Sequence, residues 1–435
     1  MKTWLRAGAL LVGGVLGLWL VAAPASAETM LVRAGRLVDV IQGRVLNDQM
    51  IRIEDGRIAA VSSFPAQAPA GALVIDWSAY TVLPGLMDMH THLVGDIQSA
   101  NPAAPLMSSA ARDALVGVVH ARATLRAGFT TVRDVGVYRA FADVALRDGI
   151  AAGYIEGPRM YVAAAYVTVS HGGGEVTGFA PDLAVPDDFR RGVANNESEV
   201  RQRIRELIAG GADFIKMIVT GAVLTSGTNP GASEYSEGEI RAAVEEAAQY
   251  GTYVVAHAHG AEGIRRAVRA GVRSIEHGSY LDAEGIRLMR QHGTWLVADI
   301  YNGDYIDEIG RRDGWPQEIL RKNEETTETQ RQGFANAVRA GVRIAFGTDS
   351  GVYPHGENAR QFAYMVRYGM TPMQAIQSAT INSARLLGHE DELGSIAPGR
   401  RADLVAIEGD PLQDIDLLYR GVVGVMKDGV IYRQP

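Results

Sequence analysis

The sequence predicts an α/β protein: a ring of parallel strands alternating with helices, flanked by strand-rich segments at both ends of the chain. Short apolar runs alternate with helical stretches through the middle. A glycine step recurs before strand-like runs, and both ends carry apolar strands around Asp-Gly turns.

The first element is a leader. Lys2 and Arg6 precede an apolar run over 7–23, followed by Ala25-Ser26-Ala27. This charged, apolar, small-residue order is that of a signal peptide cut after Ala27. It predicts a secreted or periplasmic protein with no stable membrane insertion once the leader is removed. Next come strands within 30–80: Leu31-Val32-Arg33, then Met50-Ile51-Arg52-Ile53 and 58–61, with Asp55-Gly56 as the hairpin turn. The C-terminus repeats this style over 402–407, 422–426 and 430–432, with Asp428-Gly429 as a turn. The two ends together predict a small β-sandwich domain.

The middle predicts a (β/α)8 barrel. Ala127-Gly128, Gly210-Gly211, Ala270-Gly271 and Ala340-Gly341 each precede an apolar run, as a helix C-cap precedes a strand. Strands are expected near 84–90, 130–134, 159–163, 214–218, 253–257, 274–277, 294–298 and 343–347. Eight such units fit the barrel, with an open doubly wound sheet as the rival. The expected division is 1–27 leader, 28–82 and 390–435 β-sandwich domain, and 83–389 barrel.

Composition narrows the function. A hydrophobic content of 47% is ordinary for a globular chain, and 42 Lys+Arg against 50 Asp+Glu argue against a general nucleic-acid binder. With no Cys, thiolate ligands and cysteine nucleophiles are excluded, so any metal falls to the 10 His and the carboxylates.

In a barrel of this kind, residues at the C-terminal ends of the strands face the active site. Those ends carry His90-Thr91-His92, Lys216, His257-Ala258-His259, Glu276-His277 and Thr348-Asp349. Residues two apart on a strand share a face, so His90 and His92 can point into one pocket and bind one divalent ion. They could equally be structural histidines. Lys216 lies among apolar neighbours, where an unpaired ammonium is expensive. It could pair with a carboxylate, act as a Schiff-base amine, or react with carbon dioxide to form a carbamate that bridges two metals. The histidine set favours the carbamate. The loop Ser170-His171-Gly172-Gly173-Gly174 would let backbone N–H groups approach a ligand, with His171 contacting a substrate carbonyl or carboxylate. Loops over 220–235 and 350–358 are expected to set specificity.

The run Leu83-Pro84-Gly85-Leu86-Met87-Asp88-Met89-His90-Thr91-His92, with Lys216, His257, His277 and Gly347-Thr348-Asp349, resembles the amidohydrolase superfamily. Within it, the sequence is similar to the imidazolonepropionase-like branch that includes Xaa-Pro and Xaa-Arg/Lys dipeptidases and carboxypeptidase-like amidases. The resemblance implies two divalent ions, usually zinc. His90, His92 and Asp349 would bind one, His257 and His277 the other, and carboxylated Lys216 both. Imidazolonepropionases use one metal and lack the bridging Lys, so Lys216 favours the dipeptidase-like side. His259 would lie further toward the loops, as a substrate contact or a support. Asp349 would relay the proton from the attacking hydroxide to the leaving amine.

The implied activity is hydrolysis of dipeptides or N-acyl amino acids, with ochratoxin-like N-acyl phenylalanine among the substrates of relatives. The implied partners are a small amide substrate and further copies of the chain in a homo-oligomer. The alternatives are hydrolysis of a cyclic amide, imide or lactone, or a non-catalytic periplasmic binding protein on the same fold.

Overall fold

The structure is a computed structural model that describes residues 29–65, 71–95, 101, 103–180 and 182–435. The expected leader over 1–27 lies outside these residues. Among them, no helix is long and apolar enough to cross a membrane.

The chain opens with β1 (Met30–Asp39), β2 (Arg44–Glu54), β3 (Arg57–Ser63) and β4 (Leu73–Pro84), and runs through Gly85 into β5 (Leu86–Thr91). Alternation follows: α1 (Ala110–Arg126), β6 (Phe129–Asp134), α2 (Ala142–Ala151), β7 (Arg159–Val162), β8 (Tyr166–Val167), α3 (Glu197–Ala209) and β9 (Ile215–Ile218). Then come α4 (Glu237–Gln249), β10 (Val254–Ala258), α5 (Ala261–Ala270), β11 (Ser274–His277), α6 (Ala283–His292) and β12 (Trp295–Val297). The helices α7 (Asn302–Asp313), α8 (Gln317–Ala340), α9 (Arg360–Arg367), α10 (Pro372–Gln377) and α11 (Ser383–Leu387) follow. The chain ends with β13 (Leu404–Ile407), α12 (Leu417–Arg420), β14 (Val422–Lys427) and β15 (Val430–Arg433).

Local chemistry sets many of these bounds. Gly271, Gly293 and Gly341 sit at the ends of α5, α6 and α8 with φ of 97°, 70° and 74°, the left-handed turn that favours glycine. Ser236 and Glu239 form a reciprocal capping box at the start of α4.

The expected single ring of eight strands is instead two parallel sheets, β5-β6-β7 and β12-β11-β10-β9-β8. The break between β7 and β8 has a local cause. Ala164 adopts φ of 67°, which turns the chain so that β7 pairs with β6 while β8 pairs with β9. The expected strand near 343–347 is irregular. It touches both sheets through single bridges, Leu296 to Ile344 and Thr91 to Ser350. Backbone bonds from Met89 N–H to Phe346 O and from Asp349 N–H to His90 O, each 2.8 Å, hold it beside β5.

The strands from the two ends join one seven-stranded sheet, β15-β14-β13-β4-β1-β2-β3, where a sandwich was expected. The alternation of β13 explains how a single layer suffices. Leu404 and Ala406 enter a small core with Val32, Ile51 and Trp77, while Val405 and Ile407 enter the large core shared with the parallel strands. The helices of the middle segment thus supply the second layer.

Candidate metal centre and substrate cavity

Six of the residues singled out from the sequence, His90, His92, Lys216, His257, His277 and Asp349, meet His259 around one cavity of about 170 Å³. They lie on or just beyond β5, β9, β10 and β11 and in the irregular segment that follows α8. The ring centroids of His90 and His92 are 5.5 Å apart, those of His90 and His277 4.8 Å, and those of His257 and His277 4.4 Å.

Four imidazoles have Nδ1 committed to a neighbour. His90 Nδ1 lies 2.9 Å from Glu276 Oε2, and His92 Nδ1 lies 2.9 Å from Gly136 O. His277 Nδ1 is 3.0 Å from Asp299 Oδ1, and His259 Nδ1 is 2.7 Å from Ser279 Oγ. Partners of this kind fix the ring and leave the other nitrogen for a metal. Asp349 Oδ1 sits 3.3 Å from His90 Nε2 and 3.1 Å from His92 Nε2, and Asn302 Nδ2 donates to Asp349 Oδ2 at 3.1 Å. Two donor groups emerge, His90 with His277 and Asp349, and His257 with His259 and His277; within each, one ligand atom per residue lies within 4.8 Å of the others. Nitrogen and carboxylate donors so arranged suit a divalent transition ion, so the residues present fit the implied metals.

The backbone is bent to deliver these groups. His277 has φ of 67° and Asp349 φ of 56°, uncommon values for residues with bulky side chains. Gln330 Nε2 helps hold the first, donating to His277 O at 3.2 Å.

Electrostatics follow from burial. Desolvation keeps His90 and His257 below the usual histidine range and brings His259 down to about 3. Desolvation also opposes the charged form of His277, but Asp299 and Asp349 together outweigh it and raise that ring. Asp349 is desolvated too, yet His90 and His92 hold it well below the usual carboxylate range.

Lys216 is 1% exposed and, among the described residues, makes no ion pair within 4.0 Å. Desolvation lowers its amine to about 8, against the opposing pull of Glu276 and Asp349. Arg133 nearby is treated differently: it donates to Glu276 Oε1, Met89 O and Ser274 Oγ at 2.7, 2.7 and 3.2 Å. The expected alternative of a Lys216–carboxylate pair is therefore absent among the described residues.

The glycine loop differs from expectation. His171 is exposed and does not line the cavity, whereas Gly173, Gly174 and Glu175 do. The loop amides are already engaged: Gly172 N–H on Val169 O, Gly173 N–H on Glu234, and Gly174 N–H on Thr168 Oγ1. A Cβ on Gly172 would lie 2.6 Å from Glu234 Oε2, and one on Gly174 2.7 Å from Ile218 Cγ1. The glycines therefore serve close packing against the protein itself. In the loop over 350–358, Val352 lines the cavity, while His355 stacks on His120 outside it.

Sequence reasoning missed Asp299, Asn302, Gln330 and Ser279. Asp299 lies just past the end of β12, where the strand-end rule would have found it. Asn302 and Gln330 sit on α7 and α8, where a polar residue looks like any solvated helix face. Leu224, Ile306, Trp315, Ile319 and Val352 form an apolar wall on one side of the cavity.

Comparison with known proteins agrees with this geometry. Residues 81–432 match the family model described as the amidohydrolase family. Ochratoxinase of Aspergillus niger is 32% identical over 95% of this chain and 89% of its own length. A crystal structure of a Xaa-Pro dipeptidase with methionine bound in its active site superposes with a TM-score of 0.88 at 39% identity, covering 93% of this chain and all of that one. A prolidase complexed with N-methylphosphonate-L-proline has a TM-score of 0.87 at 31% identity, over 94% of this chain and all of its own. The chain belongs to the amidohydrolase family and is a hydrolase of amide bonds.

Proposed function

We propose that this enzyme cleaves dipeptides or N-acyl amino acids, releasing the C-terminal amino acid, at a centre of two divalent ions bridged by carboxylated Lys216. The observation that carries this reading is Lys216 itself. It is a buried amine without a carboxylate partner among the described residues, in a cavity it shares with five imidazoles and Asp349. A neutral amine is the form that adds to carbon dioxide, and burial favours it. His90, His92 and Asp349 would hold one ion, and His257 and His277 the other. Zinc suits these donors, and such ions supply Lewis acidity and lower the pKa of a bound water.

The protein's own groups do the remaining work. Asp349 accepts the proton of the attacking water and returns it to the leaving nitrogen, with Asn302 steadying its Oδ2. His259 is neutral at physiological pH and, steadied by Ser279, offers its second ring nitrogen to the substrate carbonyl. The wall of Leu224, Ile306, Trp315, Ile319 and Val352 receives an apolar or aromatic group, as in an N-acyl phenylalanine. The relatives support this substrate class: one is an ochratoxinase, and two are dipeptidases or prolidases with amino-acid-like molecules bound. The same reading includes a leader cleaved after Ala27, secretion, and a homo-oligomer, with 28–82 and 390–435 as one domain and 83–389 as the domain of parallel strands and helices.

The test is a mass-resolved panel of dipeptides, N-acyl amino acids, cyclic imides and lactones, offered to protein loaded with zinc and bicarbonate. Wild type should release C-terminal amino acids and carry two metals per chain, and Lys216→Ala should lose both properties. Ring opening without amino-acid release would replace the amidase reading. Two tightly bound metals in Lys216→Ala would remove the bridge.

A further inference from the structure

The cavity has a problem to solve if its product is a free amino acid: something must meet the substrate's carboxylate. Among the described residues that line it there is no Arg and no Lys other than Lys216, which lies at the centre. Glu175 on the rim is committed to Arg190 and to His171 N–H. Recognition away from the centre therefore falls to neutral donors.

The loop after β9 supplies them. Ala222, Val223, Leu224, Thr225 and Ser226 all line the cavity. The carbonyls of this loop are largely taken. Thr228 Oγ1 donates to Ala222 O at 3.1 Å, and Lys322 Nζ donates to Thr225 O at 2.8 Å. Thr177 Oγ1 donates to Ser226 O at 2.7 Å. Thr225 Oγ1 in turn donates to Gly173 O at 2.7 Å, and Gly227 N–H donates to Glu318 Oε1 at 2.9 Å. The loop is thus held from both sides. By contrast, the N–H groups of Val223, Leu224, Thr225 and Ser226 have no hydrogen-bond partner among the described residues. Thr225 is only 7% exposed. A buried amide that is unpaired within the protein must turn to water or ligand, and for this loop the adjoining space is the cavity.

We infer that the backbone N–H groups of residues 223–226 form the anchor for the free α-carboxylate of the substrate's C-terminal residue. Runs of backbone amides capture carboxylates in this way without a cationic side chain. Lys322 is a positioning residue: buried beneath the loop, it holds the Thr225 carbonyl away from the ligand side. Leu224 belongs to both the anchor and the apolar wall, so the side chain beside the bound carboxylate falls against Ile306, Trp315 and Ile319. The inference rests on the amidase reading and narrows it to substrates that end in a free acid.

The experiment compares N-benzoyl-phenylalanine with its C-terminal carboxamide, following release of phenylalanine or phenylalanine amide. Wild type should favour the acid in kcat/KM by roughly 10- to 100-fold, the range for hydrogen bonds to a charged group. Ser226→Pro removes one amide hydrogen and should narrow that preference by lowering activity on the acid. Lys322→Met, which releases the Thr225 carbonyl, should narrow it too, chiefly through KM. Equal rates on acid and carboxamide in wild type, or an unchanged preference in both variants, would overturn the anchor and leave amide hydrolysis standing. Cleavage of neither compound alongside ring opening would remove the amidase reading and the anchor with it.

Discussion

The two ends of the parallel strands treat buried charge in opposite ways. At the cavity end Lys216 has no ion pair among the described residues, and Asp349 meets only imidazoles and an amide. At the far end Arg159 opens β7 and meets Asp403 Oδ2 at 2.8 Å, Asp428 Oδ1 at 2.7 Å and Thr131 Oγ1 at 2.8 Å. Arg401 adds a second contact to Asp428 at 2.9 Å, and Lys427 Nζ donates to Gly157 O at 2.6 Å. That junction fastens the seven-stranded sheet to the parallel strands and satisfies its charges internally. The cavity end leaves its donors underused. An unpaired buried charge is destabilising, so groups kept that way are suited to a ligand that arrives later.

Substitutions should separate the two ends cleanly. The largest effect is expected from Lys216→Met, which should abolish turnover and metal retention while leaving the urea midpoint, compared between metal-free proteins, unchanged or higher. A marked loss of stability would show that Lys216 is a structural group like those at the junction. Asp349→Asn comes next: turnover should fall about 10²- to 10⁴-fold, the usual weight of a general acid–base group, with much of the metal retained. Near-normal turnover would remove its proton-transfer role. Arg159→Met should do the reverse of both. Unfolding free energy should drop by about 3 kcal/mol, because Asp403 and Asp428 lose their shared partner, while kcat/KM below the transition stays at the wild-type value. A catalytic defect with intact stability would erase the contrast.

The smallest effect concerns Glu234, which ties the glycine loop to the loop after β9. Burial raises its carboxyl from 4.5 to about 7, against the opposing bond from Gly173 N–H. Between those values the folded protein keeps a proton that the unfolded chain has released. Stability from this group is therefore greatest at the acid end of the window and falls as pH rises through it. Glu234→Gln should flatten that slope in urea titrations between pH 4.5 and 7. An unaltered slope would mean that Glu234 ionises normally in the fold.

Much of the centre was legible because its chemistry needs scarce residue types at fixed places. His90 and His92 stand two apart on one strand, Lys216 lies inside an apolar run, and Asp349 follows a glycine step. The supports were harder to read. Gln330 lies within a 24-residue helix and Asn302 begins another, and both look like ordinary polar surface until the helices are folded over the cavity. The glycine loop misled for a different reason. Glycine marks a close approach of the backbone to something, and sequence cannot say whether that is a ligand or Glu234 and Ile218.

The sequence by itself determined the local terms: which runs alternate as strands, where glycines end helices, and which side chains can hold a metal. These depend on neighbours a few residues apart. Tertiary structure decided the rest. It joined β13 to β4 across more than 300 residues, split the parallel strands at Ala164, and placed residues 223–226 along the cavity with amides that have no partner among the described residues. Such outcomes depend on which surfaces meet across long loops, and on which hydrogen-bonding groups remain once the protein has satisfied the others.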